Sequence, residues 1–250
     1  MTAKTVLITG AASRLGAPLT RAFARDDYRV VLHANHSLAE AQLLSQGLNE
    51  AGLSTHVLKG DFRERGTIEA FCDTLISRFG PPDVIVNNAS IFQHDFPGAA
   101  NADLLAESLA VHAIAPFLLL EAAAKAKAPE ASLAVFNILD QKLLNLNPDY
   151  YSYTLGKGAL MTLTGLWQSA GRSDIRVFGL LPGLMFPSGP QSETRFAADA
   201  AKIPTGQAAK PDEIYALMQF YLSHPALPGQ MVPIDGGEHL LRRRRDVAFE

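Results

Sequence analysis

Residues 5–16 read Thr5-Val6-Leu7-Ile8-Thr9-Gly10-Ala11-Ala12-Ser13-Arg14-Leu15-Gly16. Thr5 to Ile8 has the composition of a buried strand, and the run ends on a glycine two residues later. From Leu15 to Arg25 the apolar residues Leu15, Leu19, Ala22 and Phe23 recur at helical spacing. The stretch is therefore strand, tight turn, helix. Gly10 permits the turn and the close approach of a phosphate. Gly16 lets the helix pack near the sheet, and the helix start offers N–H groups to an anion. The full G-x-G-x-x-G string is absent, because Arg14 stands where a glycine would be expected.

The same alternation continues outward along the chain. Further strands are expected at 29–32, 55–58, 84–86, 133–139, 175–181 and 230–234, and helices at 37–51, 67–79, 102–126, 151–170 and 212–222. Ser37, with Glu40 three residues on, has the form of a capping box. Apolar strands alternating with helices predict an α/β fold, a single doubly wound parallel sheet of Rossmann type with about seven strands and helices on both faces. No Pro/Gly/Ser-rich linker divides residues 1–241, so one domain is expected, followed by a basic tail at 242–250 that opens with Arg242 to Arg245. The irregular stretch 182–211 follows the sixth strand's C-terminal end, where open α/β sheets bind ligands, and is expected to be a substrate loop.

Composition excludes several classes. In 250 residues, 48% are apolar and 19% charged, which is ordinary globular usage. Lys plus Arg is 22 against 25 Asp plus Glu, a net charge of −3, and this gives no reason to expect nucleic acid. The arginine run is expected to be a solvated tail or one docked on a neighbouring subunit. Cys72 is the one cysteine, so no intrachain disulfide can form, and it reads as a packing residue in a helix. The first ten residues show no export signal, and no stretch reaches about 18 uninterrupted apolar residues. The expectation is a cytoplasmic protein that contacts no membrane. Two helices, Leu104 to Leu120 and Leu155 to Trp167, are less polar than solvent-facing helices should be. They point to a homo-oligomer, a tetramer rather than a dimer.

The end of the second strand bears on the nucleotide such a turn would hold. A site for NAD usually carries Asp or Glu there, on the ribose hydroxyls. Here the segment is His33-Ala34-Asn35-His36-Ser37, with no acid. A carboxylate would repel a 2′-phosphate; its absence, together with Arg14, Ser37 and His36, suits NADP(H). Asp61 and Phe62 lie just past the third strand, where Asp61 could accept from an adenine amino group or cap a helix.

Tyr153 and Lys157 stand at i and i+4, on one face of a helix. A nearby cation stabilises phenolate, so the lysine is expected to lower the tyrosine pKa from about 10. One exposed pair supplies too little, and a bound nicotinamide's positive charge and a partly dry site would have to add the rest before Tyr153 donates near working pH.

In order and spacing, Thr9 to Gly16, Asp61, Asn87-Asn88-Ala89-Ser90, Tyr153/Lys157, Pro182-Gly183 and Asp235-Gly236-Gly237 resemble the short-chain dehydrogenase/reductase family from end to end. The resemblance implies that Gly10, Ser13, Arg14, Leu15 and Gly16 hold the phosphates. It implies that Asn88, Ala89 and Ser90 support the cofactor, with His33, His36, Ser37, Asp61 and Phe62 at its adenosine end. Lys157 would bind the nicotinamide ribose, and Pro182, Gly183 and Leu184 would border the nicotinamide. Two positions depart from the commonest pattern. Asp140 stands where a serine usually precedes the tyrosine, and His112 where an asparagine usually supports a relay water. An Asp-Tyr-Lys set, with Arg14, His33 to Ser37 and Asn88-Ala89-Ser90-Ile91-Phe92, resembles the pteridine reductase branch. That branch implies Asp140, Tyr153 and Lys157 as catalytic residues, and Arg14, Ser90, Phe92, Asp140, Tyr153, Leu184 and Met185 as substrate contacts. Phe92 would stack on a flat ring, and no metal is implied. His36 stands where that branch would have an arginine.

A carboxylate at Asp140 accepts but does not donate when ionised, which suits a ligand with N–H donors or a C=N bond that takes up a proton. The leading expectation is an NADPH-dependent reductase of a pterin or folate-like small molecule. A carbonyl or alcohol oxidoreductase with Asp140 in place of serine is the alternative, and an NADP(H)-binding sensor without turnover is a third. His112 is either the holder of a relay water or a satisfied core histidine. Leu184, Met185 and Phe186 either wall the pocket or anchor the loop.

Overall fold

The computed structural model describes residues 3–187 and 191–249; residues 188–190 of the expected substrate loop, and residue 250 of the tail, lie outside the described residues. Seven strands form one sheet in the order β3-β2-β1-β4-β5-β6-β7, every pairing parallel. They are β1 (Thr5–Ile8), β2 (Arg29–Ala34), β3 (Thr55–Lys59), β4 (Val84–Asn87), β5 (Leu133–Ile138), β6 (Ile175–Pro182) and β7 (Met231–Ile234). β1, β4 and β5 are buried at every position, as strands covered on both faces must be. Their side chains divide by alternation. Val6 and Ile8 join Phe23, Phe136, Phe178, Ile214 and Met218 on one face, while Leu7 joins Ile68, Leu75, Ile85, Leu119 and Val135 on the other. Truncating a wholly buried ring such as Phe136 or Phe178 to alanine would cost about 3–5 kcal/mol.

Among the described residues, eight α-helices connect the strands: α1 (Gly16–Arg25), α2 (Leu38–Glu50), α3 (Arg65–Phe79), α4 (Ala102–Leu109), α5 (Ala115–Ala126), α6 (Tyr151–Ser169), α7 (Glu193–Ala200) and α8 (Pro211–Ser223). The chain reverses its order of strand addition between β1 and β4, and the crevice opens at the C-terminal ends of these strands.

Four expectations change. Ser37 occupies the cap position of α2, but no side-chain capping bond forms there. The helix expected over 102–126 is interrupted by one wide π-turn, Ala110–Ile114, between α4 and α5. Ala102–Ala126 as a whole is long and apolar enough to cross a membrane, but half of its apolar window is buried within this fold. The 182–211 stretch is not wholly irregular, because Ser192 accepts from the Arg195 N–H and starts α7. The arginine tail is only partly solvated: Arg242 and Arg244 are exposed, but Arg245 is tied back onto its own subunit. Arg245 pairs with Asp149 at 2.7 Å, and Asn145 donates to the Leu241 carbonyl.

Candidate active site

The turn after β1 is built around Gly10, whose φ of +61° is a conformation that L side chains rarely adopt. A Cβ there would stand 3.0 Å from the Ala89 Cα. A Cβ on Gly16 would lie 2.0 Å from the Gly10 carbonyl oxygen, so α1 starts hard against the turn. Asn88 ties the β4 end to the same turn by donating to the carbonyls of Thr9 and Gly10, both at 3.0 Å. The start of α1 carries no side-chain cap, and the Ser13 carbonyl accepts from the Gly16 N–H at 2.9 Å.

His33 sets this turn from below. The Gly10 N–H donates to Nδ1 at 3.2 Å, and Nε2 lies 3.0 Å from the Gly60 carbonyl. Accepting at one nitrogen and donating at the other requires the neutral ring with its proton on Nε2. Burial agrees, lowering the His33 pKa to about 4. Phe62 lies parallel on the imidazole at 3.8 Å. Both ring nitrogens of His33 are thus engaged inside the protein, so the residue positions the turn while it also borders the crevice. Asp61 borders the crevice, but Arg63 engages its carboxylate at 2.5 Å and holds its pKa well below the usual range. His36 is exposed at the end of β2 beside Ser37.

β5 delivers Asp140 and α6 delivers Tyr153 and Lys157. The Tyr153 hydroxyl donates to Asp140 Oδ2 at 2.6 Å, while Asp140 Oδ1 accepts from the Lys142 N–H at 2.8 Å. Lys157 Nζ donates to the Ile138 carbonyl at 2.5 Å. Burial, then the charge of Asp140, raises the Tyr153 pKa well above 10. The sequence-based expectation of a lowered tyrosine pKa is thus reversed, because the lysine spends its proton on the backbone while the acid faces the phenol. Burial raises Asp140 as well, and it lowers Lys157 to about 8.

His112 is a satisfied core histidine. Nε2 accepts from the Ile91 N–H at 3.2 Å and lies 2.9 Å from Ser90 Oγ. Nδ1 sits 3.1 Å from Ser108 Oγ, whose own proton goes to the Ser152 carbonyl. Nδ1 therefore carries the ring proton. The wide turn drives this ring toward α6, where a Cβ on Gly156 would meet Ser108 Oγ at 2.7 Å and His112 Nδ1 at 2.8 Å. With Nε2 so occupied, the relay-water reading is not supported.

Sequence reasoning missed three further positioning groups. Asp95, between β4 and α4, accepts the Ser152 N–H at 3.0 Å and its hydroxyl at 2.5 Å, capping α6 one residue before Tyr153. Glu238, buried, accepts the Leu184 N–H at 3.0 Å and is raised to about 7 by burial. Asp149 receives Arg245. No local pattern marks these residues, since each pairs across at least 54 residues of chain. Phe92 is 47% exposed, stacked on Tyr150 at 4.0 Å and edge-on to Tyr153 at 4.9 Å. Met185 and Phe186 pack partly on the core, and Arg14 lies 5.3 Å from the Phe186 ring centre.

These groups line one crevice of about 680 Å³. Every expected site residue except Gly16 borders it, from His36 and Ser37 at one end to Phe92, Asp140 and Met185 at the other. Gly16 acts beneath it, as the close approach to Gly10 shows. Among the described residues, no group of three or more His, Cys, Asp or Glu could hold a metal ion.

Comparison with known proteins agrees with this geometry. A family model described as short chain dehydrogenase matches residues 4–195. Pteridine reductase 1 of Leishmania tarentolae is 30% identical, over 96% of this chain and 98% of that protein. Dihydromonapterin reductase of Escherichia coli O139:H28 is 25% identical, over 94% and 96%. The crystal structure of FolM alternative dihydrofolate reductase 1 from Brucella suis, in complex with NADP, superposes with a TM-score of 0.90 at 33% identity, over 97% and 98%. The chain belongs to the short-chain dehydrogenase family.

Proposed function

We propose that this chain is an NADPH-dependent reductase of a pterin or folate-like ring. The observation that carries the reading is the 2.6 Å bond from Tyr153 to Asp140 at the mouth of a nucleotide-sized crevice. The crevice suits NADP(H). Gly10 and Gly16 let the turn pack against Ala89 and α1 more closely than a Cβ would allow, which shapes the crevice wall, and the β2 end presents His36 and Ser37 rather than an acid. The names of the Leishmania and Brucella relatives support the same substrate class.

When bound, the cofactor supplies a hydride to the carbon of a C=N bond. The chain's own residues handle the proton. Burial favours the protonated form of both Asp140 and Tyr153, so the pair holds a proton at neutral pH and gives it to the ring nitrogen. Lys157, buried beneath Tyr153, offers positive charge to the oxygen left behind. The ionised pair then regains its proton from water at the open mouth. Phe92, half-exposed and already stacked on Tyr150, presents a face to a flat heteroaromatic. Ser90, Leu184 and Met185 border the same end.

NADPH oxidation with dihydrobiopterin and with dihydrofolate tests the assignment. Turnover of either is expected; turnover only of ketones or aldehydes would establish the carbonyl reductase reading instead. A homo-oligomer, with a tetramer favoured over a dimer, and a cytoplasmic location remain part of the proposal. Ile114, Phe117, Leu155 and Leu166 are at least 40% exposed on α5, α6 and the turn before them. Light scattering would give the subunit number.

A further inference from the structure

We infer that the C-terminal segment from Arg242 to Phe249 is a strap that completes the substrate end of its own subunit's crevice, and that buried Asp149 is the positioning residue that clasps it. The inference rests on the reductase reading of that crevice.

Asp149 makes no contact with Tyr153, Asp140 or Lys157, yet its carboxylate is wholly buried. A buried carboxylate is costly unless it is fully partnered. His94 Nε2 lies 3.4 Å from this one, and its shorter partners come from the tail. Arg245 donates through Nε at 2.8 Å and through its terminal nitrogen at 2.7 Å, in a bidentate fork, and the Asp246 N–H adds 2.8 Å. Arg245 holds the Asp149 pKa well below the usual carboxylate range.

Around this clasp the tail touches the segments that carry Asp140 and Phe92, and it reaches Leu184 through Glu238. Asp246 lies 3.4 Å from Lys142 Nζ, two residues beyond Asp140. Phe249 packs on His94 at 4.6 Å and on Tyr150 at 6.0 Å, the ring on which Phe92 stacks. Arg245 lies 5.6 Å over Phe96. Arg243 lies 3.8 Å from Glu238, which holds the Leu184 N–H. Arg243, Asp246 and Val247 then form part of the crevice wall itself. The contacts given above lie at the Asp140 and Leu184 end of the crevice. A clasp so placed acts on the substrate's ring and not on the nucleotide. The arginine run that looked like a free basic patch is the lead-in to this fork.

The test uses the full chain, an Arg245→Ala variant, an Arg245→Lys variant and an Asp149→Asn variant. Trypsin cleavage after Arg242 to Arg244 reads strap release without any ligand. Arg245→Ala is expected to speed it, and Arg245→Lys, which keeps the charge but loses the fork, to lie between. In steady-state kinetics the KM for the pterin or folate should rise about tenfold or more in Arg245→Ala, with partial rescue by lysine. The NADPH dissociation constant and kcat should hold. Asp149→Asn should behave as Arg245→Ala does; should it fail to fold, the Arg245 pair still decides. Unchanged trypsin cleavage overturns the clasp. Faster cleavage with unchanged KM overturns the strap's part in the substrate site. If the wild type turns over no pterin or folate, the reductase reading has failed separately; the strap is then judged on cleavage and on the KM for the carbonyl substrate that is turned over.

Discussion

Replacing Asp140 by asparagine keeps the shape of the side chain and removes its charge. The amide oxygen can still accept from the Lys142 N–H, now 2.8 Å from Oδ1. The amide nitrogen then faces the Tyr153 hydroxyl, which loses an ionised acceptor at 2.6 Å. A hydrogen bond to a charged group contributes about 1.5–3 kcal/mol and a neutral one about 1. Their difference of roughly 1–2 kcal/mol accounts for about a 5–30-fold loss. If Asp140 instead carries the proton, loss of general acid catalysis accounts for ~10²–10⁴-fold. The fall expected in kcat/KM for dihydrobiopterin is therefore more than about 100-fold, or roughly 2.7 kcal/mol in the barrier. Stability should move the other way. Burial raises the Asp140 pKa, so the folded state disfavours the ionised form and the neutral amide removes that penalty. The variant should melt no lower than the wild type at pH 7. Initial rates at saturating NADPH and a thermal melt on the same preparation read both. A loss below about 30-fold would show that Asp140 only orients Tyr153, and the proton-carrying role would be refuted.

Tyr153→Phe should abolish turnover, by about 10²-fold or more, while NADPH still quenches or transfers fluorescence at wild-type concentrations; retained turnover would move the proton donor elsewhere. Ser37→Asp places a carboxylate at the end of β2, and should raise the KM for NADPH about tenfold or more relative to that for NADH, read as a ratio of initial rates. Stability should fall as pH drops from about 6.5 toward 4. His33 has a folded pKa of about 4 against 6.5 unfolded, so within that window the unfolded chain binds more protons. The loss amounts to about 3 kcal/mol from this ring alone at about 1.4 kcal/mol per pH unit, and His33→Gln should flatten the denaturant midpoint against pH.

The sheet was legible because strands buried on both faces read as short apolar runs, and β1, β4 and β5 are such runs. The identity of the catalytic pair was legible for a similar reason: four residues is one helical turn, whatever the rest of the chain does. Its electrostatics were not. The spacing shows that Lys157 sits beneath Tyr153, but the nitrogen is claimed by the Ile138 carbonyl, nineteen residues upstream. The π-turn left no mark, since Ala110 to Ile114 has the composition of any core helix. Nor could the sequence place Arg245 on Asp149, 96 residues away, so a basic run looked like a solvated one.

The wide turn that swings His112 against Gly156 has a bearing on how this chain tolerates change. The Ser108 hydroxyl, the His112 imidazole and the Ser108 carbonyl together fill the space into which any side chain at 156 would grow, between the two residues of the reactive pair. Enlarging 156 therefore displaces Tyr153 and Lys157 together, and trimming position 112 alone does not open the site, because Ser108 stays in place. A library that varies position 156 will find it intolerant whatever stands at 112.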